Sequence, residues 1–216
     1  MKVLDLFSGL GGWSQAFKDR GHQVTTVDIE DKFKPNLCID VMELKSEDFG
    51  HRYDIILASP PCNCFSVASL YRHWKKRMGI SYPTDEATIK SIELVKHTLS
   101  LITELNPRWW ILENPVGMLR KQTFMKEYKR TTITQCQYGR SVMKPTDLWG
   151  ILPKGFIVKK CKPGALCHER AIRSSKKGVQ GIISSLDKGM SKEQRALIPY
   201  GLSLAVCLAC EKELSK

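Results

Sequence analysis

Two cysteines follow a pair of prolines in the segment SPPCNCFS, residues 59–66. Proline fixes its backbone φ and lacks an N–H donor, so the pair stiffens the chain directly before Cys62. The apolar run 55–58 predicts a buried strand, and a thiol at its exit would face a ligand cleft. Such a thiolate could act as a nucleophile, whereas most free cysteines are packing residues. The prolines favour a nucleophile at Cys62, and packing is the preferred role for Cys64.

The carboxyl of Glu113 is a second candidate group. It follows the apolar letters WWIL, which predict another buried strand. Burial raises the pKa of a carboxyl, so Glu113 could donate a proton near neutral pH. A thiol beside a carboxyl donor suits addition to an electron-poor heterocycle, because the ring must be protonated or hydrogen-bonded as it is attacked.

A glycine-rich loop and an acidic residue predict a cofactor site. The segment FSGLGGW places Gly9, Gly11 and Gly12 after the first apolar run, where the backbone can turn tightly and approach a ligand. Ser14 stands at the third glycine position of a dinucleotide fingerprint, so that match is partial. Asp28 follows about twenty residues on and could accept hydrogen bonds from ribose hydroxyls. A plain strand–helix turn is the alternative.

These segments need a scaffold that brings them together. Strand and helix patterns alternate up to about residue 115, which predicts an open, mainly parallel α/β sheet. Strands are predicted at 2–7, 22–30, 37–41, 53–59 and 108–115, and helices at 13–21 and 84–107. The strand exits then meet at one edge of the sheet. Asp40, at the third exit, could accept from an adenine amino group or be a solvated turn residue.

Length and charge bound the organisation and the partners. A chain of 216 residues can bury one sizeable core, and its net charge of +12 favours nucleic acid over a merely basic character. We predict a catalytic core over 1–150, a short basic segment over 151–192 and a C-terminal helix over 193–216 that returns to the core. The chain shows neither a signal-peptide pattern nor an apolar run of roughly 18 residues, which predicts a cytoplasmic protein without membrane contact.

Eight cysteines in a reducing compartment indicate chemistry, metal binding or packing rather than disulfides. Cys161, Cys167 and His168 lie close together in the basic segment, and Cys207 and Cys210 follow with CxxC spacing. They are a candidate structural zinc set, because thiolates and imidazole are zinc ligands. The last two cysteines stand in an apolar helical pattern and can simply pack, so a chain without metal is the preferred interpretation.

The segments LDLFSGLGGW, SPPCNCFS and LENP resemble, in order and spacing, the first, fourth and sixth motifs of the cytosine-C5 methyltransferases. The resemblance covers residues 2 to about 118 and implies a Rossmann-like, S-adenosylmethionine-dependent methyltransferase sheet. It implies that Cys62 attacks C6 of a cytosine flipped out of duplex DNA, and that Glu113 hydrogen-bonds or protonates N3. C5 then takes the methyl group, β-elimination frees the enzyme, and Asn114 supports the loop. The implied cofactor residues are Phe7, Gly9, Leu10, Gly12, Asp28, Ile29, Asp40 and Pro61.

The eighth motif departs from the family pattern. Tyr138 and Gly139 are present, but Lys144 and Thr146 stand at the places of two expected arginines. Lys144 or Arg140 is the candidate for the positive charge near the base.

Other departures are smaller. Pro115 replaces the usual Val after Glu-Asn, and Asn63 replaces the usual Gln after the cysteine. The segment RALIPYGLSLAV, 195–206, resembles a fused remnant of the ninth and tenth motifs, in which Ser203 could reach the cofactor.

The predicted target-recognition segment is short for this family. Its ten Lys and Arg residues against two acids favour phosphate contacts over sequence choice, so specificity is relaxed or helped by a partner protein. The segment SLYRHWKKRM, 69–78, resembles the loop that closes over DNA, and an exposed basic helix is its alternative. The predicted nucleic-acid contacts are Ser66, Arg72, Lys75, Lys76, Arg140, Arg173, Lys176 and Lys177.

The leading interpretation is a short DNA cytosine-C5 methyltransferase of phage or prophage type, with a reduced target-recognition region. Methylation of cytosine in RNA and a catalytically silent nucleic-acid-binding homologue are the alternatives. An NAD-dependent oxidoreductase is more distant, because the third glycine is missing. The target sequence, the oligomeric state and a restriction-linked, viral or regulatory role stay open.

Overall fold

The computed structural model describes residues 1–168 and 190–215, so Arg173, Lys176 and Lys177 lie outside the described residues. The strands are β1 (Lys2–Leu6), β2 (Gln23–Asp28), β3 (Leu37–Cys38), β4 (Ile55–Ala58), β5 (Trp74–Arg77), β6 (Ile80–Pro83), β7 (Trp109–Pro115), β8 (Arg130–Thr134) and β9 (Pro145–Ile151). The α-helices are α1 (Gln15–Asp19), α2 (Leu70–His73), α3 (Glu86–Leu105), α4 (Lys192–Ala196) and α5 (Tyr200–Leu214). No helix in these described ranges is long and apolar enough to cross a membrane.

The main sheet of the described chain has the strand order β3–β2–β1–β4–β7–β9–β8. The first five of these strands run parallel, and β9 runs antiparallel to its neighbours β7 and β8. This arrangement confirms the predicted open, mainly parallel α/β sheet. Because the carboxyl ends of parallel strands share one edge, the exits of β1, β2, β4 and β7 open toward one cleft.

Strand β4 is enclosed on both faces. All four of its residues are fully buried. Ile55 and Leu57 pack in one core with α1 and α5, whereas Ile56 and Ala58 pack in the other core with α3. A continuous apolar strand of this kind is typical of the centre of a sheet covered by helices on both sides. The chain that leads to Cys62 therefore leaves from a rigid strand.

Local signals explain the ends of the long helix α3, predicted over 84–107. The Asp85 carboxylate accepts from the backbone N–H of Thr88 at 2.8 Å and caps its start. Asn106 adopts a left-handed conformation, with φ of 43°, and ends it. The helix predicted over 13–21 is shorter and contains only the five residues of α1.

Two other predicted elements differ from the structure. The strand predicted over 37–41 is limited to β3, because Asp40 accepts from the Met42 N–H at 2.9 Å and caps a 3₁₀ turn instead. The single C-terminal helix predicted over 193–216 is two helices, α4 and α5. Pro199 separates them, since proline lacks an N–H and disfavours the helical conformation in the residue before it.

Strand β9 approaches β7 closely at Gly150. Its φ of +126° lies in a region that side chains rarely adopt, and it pairs with Ile111. A Cβ on Gly150 would lie 2.2 Å from the Trp110 carbonyl oxygen. The glycine thus lets β9 lie against the strand that carries Glu113.

We predict that Gly150→Ala destabilises the fold by roughly 2–3 kcal/mol, because the new methyl group clashes with backbone and the φ is unfavourable. Urea unfolding followed by circular dichroism measures this change. Gly50→Ala is the control, since a Cβ at Gly50 meets no atom within 4 Å. Equal stability of the two variants would contradict the prediction.

A carboxyl group lies inside the core at Asp5, in the middle of β1. Asp5 is fully buried, and neither of its oxygens has a hydrogen-bond partner of good geometry among the described residues. Burial raises the pKa of this carboxyl to about 7, although Ser14 and Lys18 partly oppose the shift. An unfolded aspartate has a pKa of about 4. Between these values the folded chain retains a proton that the unfolded chain loses, so stability falls as the pH rises through this window and is constant above it.

We predict that Asp5→Asn, which mimics the protonated acid, removes this pH-dependent loss. The variant is expected to exceed the wild type in unfolding free energy at pH 8 by up to about 4 kcal/mol, and by much less at pH 5. Denaturant unfolding at both pH values measures the difference, and Glu47→Gln, at an exposed carboxyl, is the control. If the difference in unfolding free energy between Asp5→Asn and the wild type is the same at pH 5 and pH 8, Asp5 does not have a raised pKa in the folded chain.

Candidate active site

The loop after β4 is fixed by backbone and side-chain bonds. The Cys62 carbonyl accepts from the N–H groups of Phe65 and Ser66, at 3.0 and 2.9 Å, and closes a turn. The Asn114 amide donates to the Pro60 carbonyl at 3.0 Å, from the end of β7. The half-buried Cys62 is therefore held between the exits of two neighbouring strands.

Glu113 occupies the matching exit on β7. Ala58 pairs with Leu112 in the sheet, so Glu113 lies beside the start of the Cys62 loop. Its carboxyl is buried, and the Gln135 side-chain amide donates to it at 3.3 Å. Burial raises the pKa of the Glu113 carboxyl, and the nearby ammonium of Lys144 partly opposes the shift. The group is thus a proton donor closer to neutral pH than a surface glutamate.

The Cys62 thiol interacts electrostatically with both other groups of this site. Burial raises its pKa, the positive charge of Lys144 lowers it, and a negative charge on Glu113 raises it. A protonated Glu113 and a Cys62 thiolate therefore favour each other, with Lys144 stabilising the thiolate. This arrangement can combine a sulfur nucleophile with an acid at one edge of the sheet.

The two candidate cations are held by the C-terminal segment. The Arg140 guanidinium donates to the carbonyls of Arg195 and Leu197, at 2.8 and 3.0 Å, and to the Gln135 side chain at 3.3 Å. The Lys144 ammonium lies 3.4 Å from the Arg195 carbonyl. Both positive charges act on Glu113, whose carboxyl pKa they lower, and that of Lys144 also lowers the pKa of the Cys62 thiol.

Gln135 and Thr146 are site residues that sequence analysis missed. Gln135 is fully buried and donates to both Glu113 and the Thr146 hydroxyl, the latter at 3.0 Å. Thr146 stands where the family pattern has an arginine, and it carries no charge. Its hydroxyl orients Gln135, which in turn donates to Glu113. Gln135 lies two residues before the eighth-motif segment that begins at Gln137, and nothing in its sequence context marks it as a site residue.

The glycine loop meets Asp28 as expected for a cofactor edge. The Gly9 N–H donates to one Asp28 oxygen at 2.8 Å, and the Glu30 N–H donates to the other at 3.0 Å. Leu10 and Ile29 are 51% and 64% exposed at the same edge. This edge suits a nucleoside. Apolar side chains can pack against the faces of its base, and a carboxylate held by backbone N–H groups can accept hydrogen bonds from its ribose hydroxyls.

Other predicted cofactor residues hold the loop in place. A Cβ on Gly12 would lie 2.7 Å from backbone atoms of Ile198, so this glycine allows the C-terminal segment to pack closely. The buried Ser203 hydroxyl donates to the Trp13 carbonyl, which directs it at the loop backbone. Phe7 has a left-handed φ of 62° where β1 turns into the loop. Pro61 is exposed, and Asp40 is half-buried at the exit of β3.

A cavity of about 230 Å³ lies on the α1 side of the glycine loop. Gly9 and Leu10 line it, together with Lys18 and Lys34. Asp28, Asp40 and Pro61 do not line this cavity, whereas the glycine loop at the exit of β1 does.

The segment 69–78 contains the short helix α2 and the strand β5, which pairs with β6 in a hairpin, so the exposed-helix alternative is wrong for about half of it. Met78 is 93% exposed at the turn. Lys75 and Lys76 are exposed along β5, and Arg72 lies at the end of α2.

This hairpin is anchored to the loop that carries the candidate nucleophile. The buried Trp74 indole donates to the Cys64 carbonyl at 2.6 Å. Cys64 itself is only 6% exposed, as expected for a packing residue. Ser66 contacts the Ser69 hydroxyl at 3.0 Å, which ties the base of α2 to the same loop.

The remaining cysteines fall into two groups. Cys207 and Cys210 are fully buried in α5 and pack in the core, as their apolar context predicts. Cys161, Cys167 and His168 lie together, and Cys136 joins them.

Comparisons with known proteins identify the family of the chain. The family model described as C-5 cytosine-specific DNA methylase matches residues 1–139. A Frog virus 3 protein named as a DNA (cytosine-5)-methyltransferase is 29% identical over 171 residues, which are 77% of this chain and 78% of the relative. The type II methyltransferase M.NgoPII of Neisseria gonorrhoeae is 29% identical over 55% of this chain and 34% of its own length.

Further relatives differ in their substrate names. The Bos taurus protein named tRNA (cytosine(38)-C(5))-methyltransferase is 25% identical over 76% of this chain and 43% of its own length. Among solved structures, an Escherichia coli prophage protein described as a DNA modification methyltransferase superimposes with a TM-score of 0.53 at 21% identity, over 76% of this chain and 52% of that one. This chain spans about half the length of the Bos taurus protein and of the Escherichia coli protein. The family match covers more than half of this chain and confirms the predicted fold and enzyme class: the chain belongs to the C-5 cytosine-specific DNA methylase family.

Proposed function

We propose that this chain transfers a methyl group from S-adenosylmethionine to C5 of cytosine in DNA. The observation that carries the proposal is the arrangement of Cys62 and Glu113 at adjacent strand exits, with Lys144 acting on both. A nucleophile and an acid in this arrangement can act on opposite sides of one cytosine ring. The thiol would approach C6, and the carboxyl would approach N3.

The glycine-loop edge fits the proposed cofactor. Asp28 suits the ribose hydroxyls, and Leu10 and Ile29 offer apolar surface to the adenine. Asp40 would accept from the adenine amino group. Bound there, S-adenosylmethionine supplies an electrophilic methyl group on a sulfonium.

The chain's own residues would act in the following order. Lys144 stabilises the Cys62 thiolate, which forms a bond to C6 while Glu113 hydrogen-bonds or protonates N3. The electron pair shifts to C5, and C5 takes the methyl group, which would leave the cofactor as a neutral thioether. Transfer of the C5 proton to water and breakage of the bond to sulfur restore the aromatic ring and free Cys62, while N3 returns its proton to Glu113. Asn114 holds the loop through Pro60 during these steps.

Base flipping and DNA binding belong to the same proposal. A cytosine inside a duplex does not expose C6 to a thiol, so the base must leave the stack. Arg72, Lys75 and Lys76 are exposed near the catalytic loop, and we assign them phosphate contacts, which add affinity without sequence choice. The basic segment over 151–192 adds further phosphate contacts, so we propose that target choice is relaxed or helped by a partner protein.

RNA is the second candidate substrate. The relative named as a tRNA methyltransferase shares the family motifs, and the positive charge of this chain suits either polymer. The acceptor assay below distinguishes the two.

We predict that the protein transfers tritium from labelled S-adenosylmethionine to duplex DNA, and that Cys62→Ala lowers the rate roughly 10³-fold or more. Cys64→Ala is the matched control and is expected to keep most of the activity, because Cys64 packs. Transfer RNA and a reaction without acceptor run in parallel. Label in transfer RNA alone would change the substrate, and full activity of Cys62→Ala would overturn the nucleophile.

The covalent step has its own readout in the same assay. DNA that contains 5-fluorocytosine cannot lose a proton from C5, so the adduct should persist as a band of lower mobility on a denaturing gel. Wild type and Cys64→Ala should form this band, and Cys62→Ala should not.

We predict that Lys144→Met raises the pKa of the Cys62 thiol, because it removes the charge that stabilises the thiolate. Alkylation of Cys62 by iodoacetamide at pH 8 should slow roughly 3- to 10-fold, and Lys144→Arg should restore most of the rate. Peptide mass spectrometry across pH 7 to 10 follows Cys62, with the exposed Cys38 as internal reference. An unchanged Cys62 profile would exclude Lys144 as the thiolate partner.

A further inference from the structure

Three cysteines and one histidine from separate parts of the chain converge outside the active site. The Sγ atoms of Cys136, Cys161 and Cys167 and the ring nitrogen of His168 all lie within 4.8 Å of one another. We propose that these four residues bind one Zn²⁺ ion as a structural site. This site is separate from the residues proposed for methyl transfer. It includes Cys136, which was not predicted as a ligand because it stands 25 residues before Cys161 in the sequence.

The distances between ligand atoms agree with a tetrahedral zinc site. With Zn–S and Zn–N bonds of about 2.3 and 2.0 Å, tetrahedral geometry separates two sulfurs by about 3.8 Å and a sulfur from a nitrogen by about 3.5 Å. The Cys136 and Cys167 sulfurs are 3.8 Å apart, and the His168 Nδ1 lies 3.5 Å from the sulfurs of both Cys161 and Cys167. The Cys161–Cys167 separation, 3.2 Å, is shorter, and the sulfur of Cys136 lies within 4.8 Å of the Cys161 sulfur and of the His168 ring nitrogen.

Backbone pairing brings these ligands together. The Thr134 N–H donates to the Lys159 carbonyl at 3.1 Å, and the Cys161 N–H donates to the Thr134 hydroxyl at 3.1 Å. This pairing places Cys161 beside the 3₁₀ turn Gln135–Tyr138, which carries Cys136. The convergence therefore has a cause that is independent of the cysteines.

The surroundings supply what a thiolate site needs. The Gln137 side-chain amide donates to the Cys167 sulfur at 3.0 Å, and donors of this kind orient and stabilise metal-bound thiolates. On binding, three thiols release their protons, so a zinc ion with three thiolates carries a net charge of −1. Lys159, Lys160 and Lys162 give the surrounding stretch of sequence a positive charge of the opposite sign.

The stretch 159–168 has little else to hold it. It contains neither helix nor strand, and its large apolar residue, Leu166, is fully exposed. A segment that buries so little apolar surface gains its order from a metal or from crosslinks. The ion would fix the start of the basic segment to a turn whose first residue, Gln135, contacts Glu113.

A disulfide is the competing use of these thiols. The Cys161 and Cys167 sulfurs are close enough to pair after a small movement, but that bond would leave Cys136 and His168 without a role. Four donors around one point fit an ion better than they fit a single bond between two of them.

The test measures metal and thiol protection in the full chain, purified with a tag that lacks histidine and under reducing conditions. Plasma mass spectrometry should find one zinc per chain. Cys136, Cys161 and Cys167 should resist alkylation until a chelator is added, whereas Cys38 should react throughout. Because this readout uses the wild type, it does not depend on whether a variant folds.

Variants then assign the ligands. Cys136→Ser and His168→Asn should lower the zinc affinity by roughly tenfold or more, and Cys38→Ser should retain full zinc content. The proposal fails if the three thiols are alkylated freely without zinc, or if folded Cys136→Ser binds zinc as well as the wild type. It also fails if peptide mapping finds a Cys161–Cys167 disulfide in chain purified in parallel without reductant. Visible absorbance from an iron–sulfur cluster would also overturn it. None of these readouts requires methyl transfer, so failure here is distinct from failure of the proposed function.

Discussion

The hydrogen bond from the Asn114 amide to the Pro60 carbonyl joins the exits of the two central strands. Pro61 follows directly and has no N–H, so the chain at this point cannot continue the ladder of the sheet. A buried side-chain amide replaces that ladder bond and sets the direction in which the chain reaches Cys62. Since Glu113 precedes Asn114, the same bond fixes the position of the acid relative to the thiol. The geometry of the site therefore depends on one amide more than on the flexible side chains around it.

The charges of the site depend on backbone carbonyls as well. Arg140 and Lys144 bind the carbonyls of Arg195 and Leu197, which are dipoles without full charge. Arg120 pairs with the buried Asp147 carboxylate at 2.7 Å on the neighbouring strand β9. Arg120 thus stabilises this edge of the sheet, whereas Arg140 and Lys144 join the C-terminal segment to the residues around Glu113.

The sequence predicts the parts of this protein in which local pattern and tertiary environment agree. The buried strands before Cys62 and Glu113 are apolar throughout, and their exits carry the residues that do chemistry, so both the sheet and the core of the site were predictable. The loops after β7 were not, because their order comes from contacts distant in sequence. In the sequence Gln135 is an ordinary polar residue, and only the fold shows that it contacts Glu113. Likewise, only the fold shows that Cys136 lies next to Cys161. The hairpin of β5 and β6 was not predicted, because the run of basic residues in β5 is equally compatible with an exposed helix.

The contact between the eighth motif and the C-terminal segment has a consequence for biosynthesis. Arg140 and its acceptor at Arg195 are 55 residues apart, and Gly12 packs against the backbone of Ile198. The parallel strands can form on the ribosome while those later residues are still being added. The glycine loop and the cations are fixed only after Ile198 has left the exit tunnel. A nascent chain that already contains Cys62 and Glu113 therefore still lacks the contacts that hold its glycine loop and its cations in place.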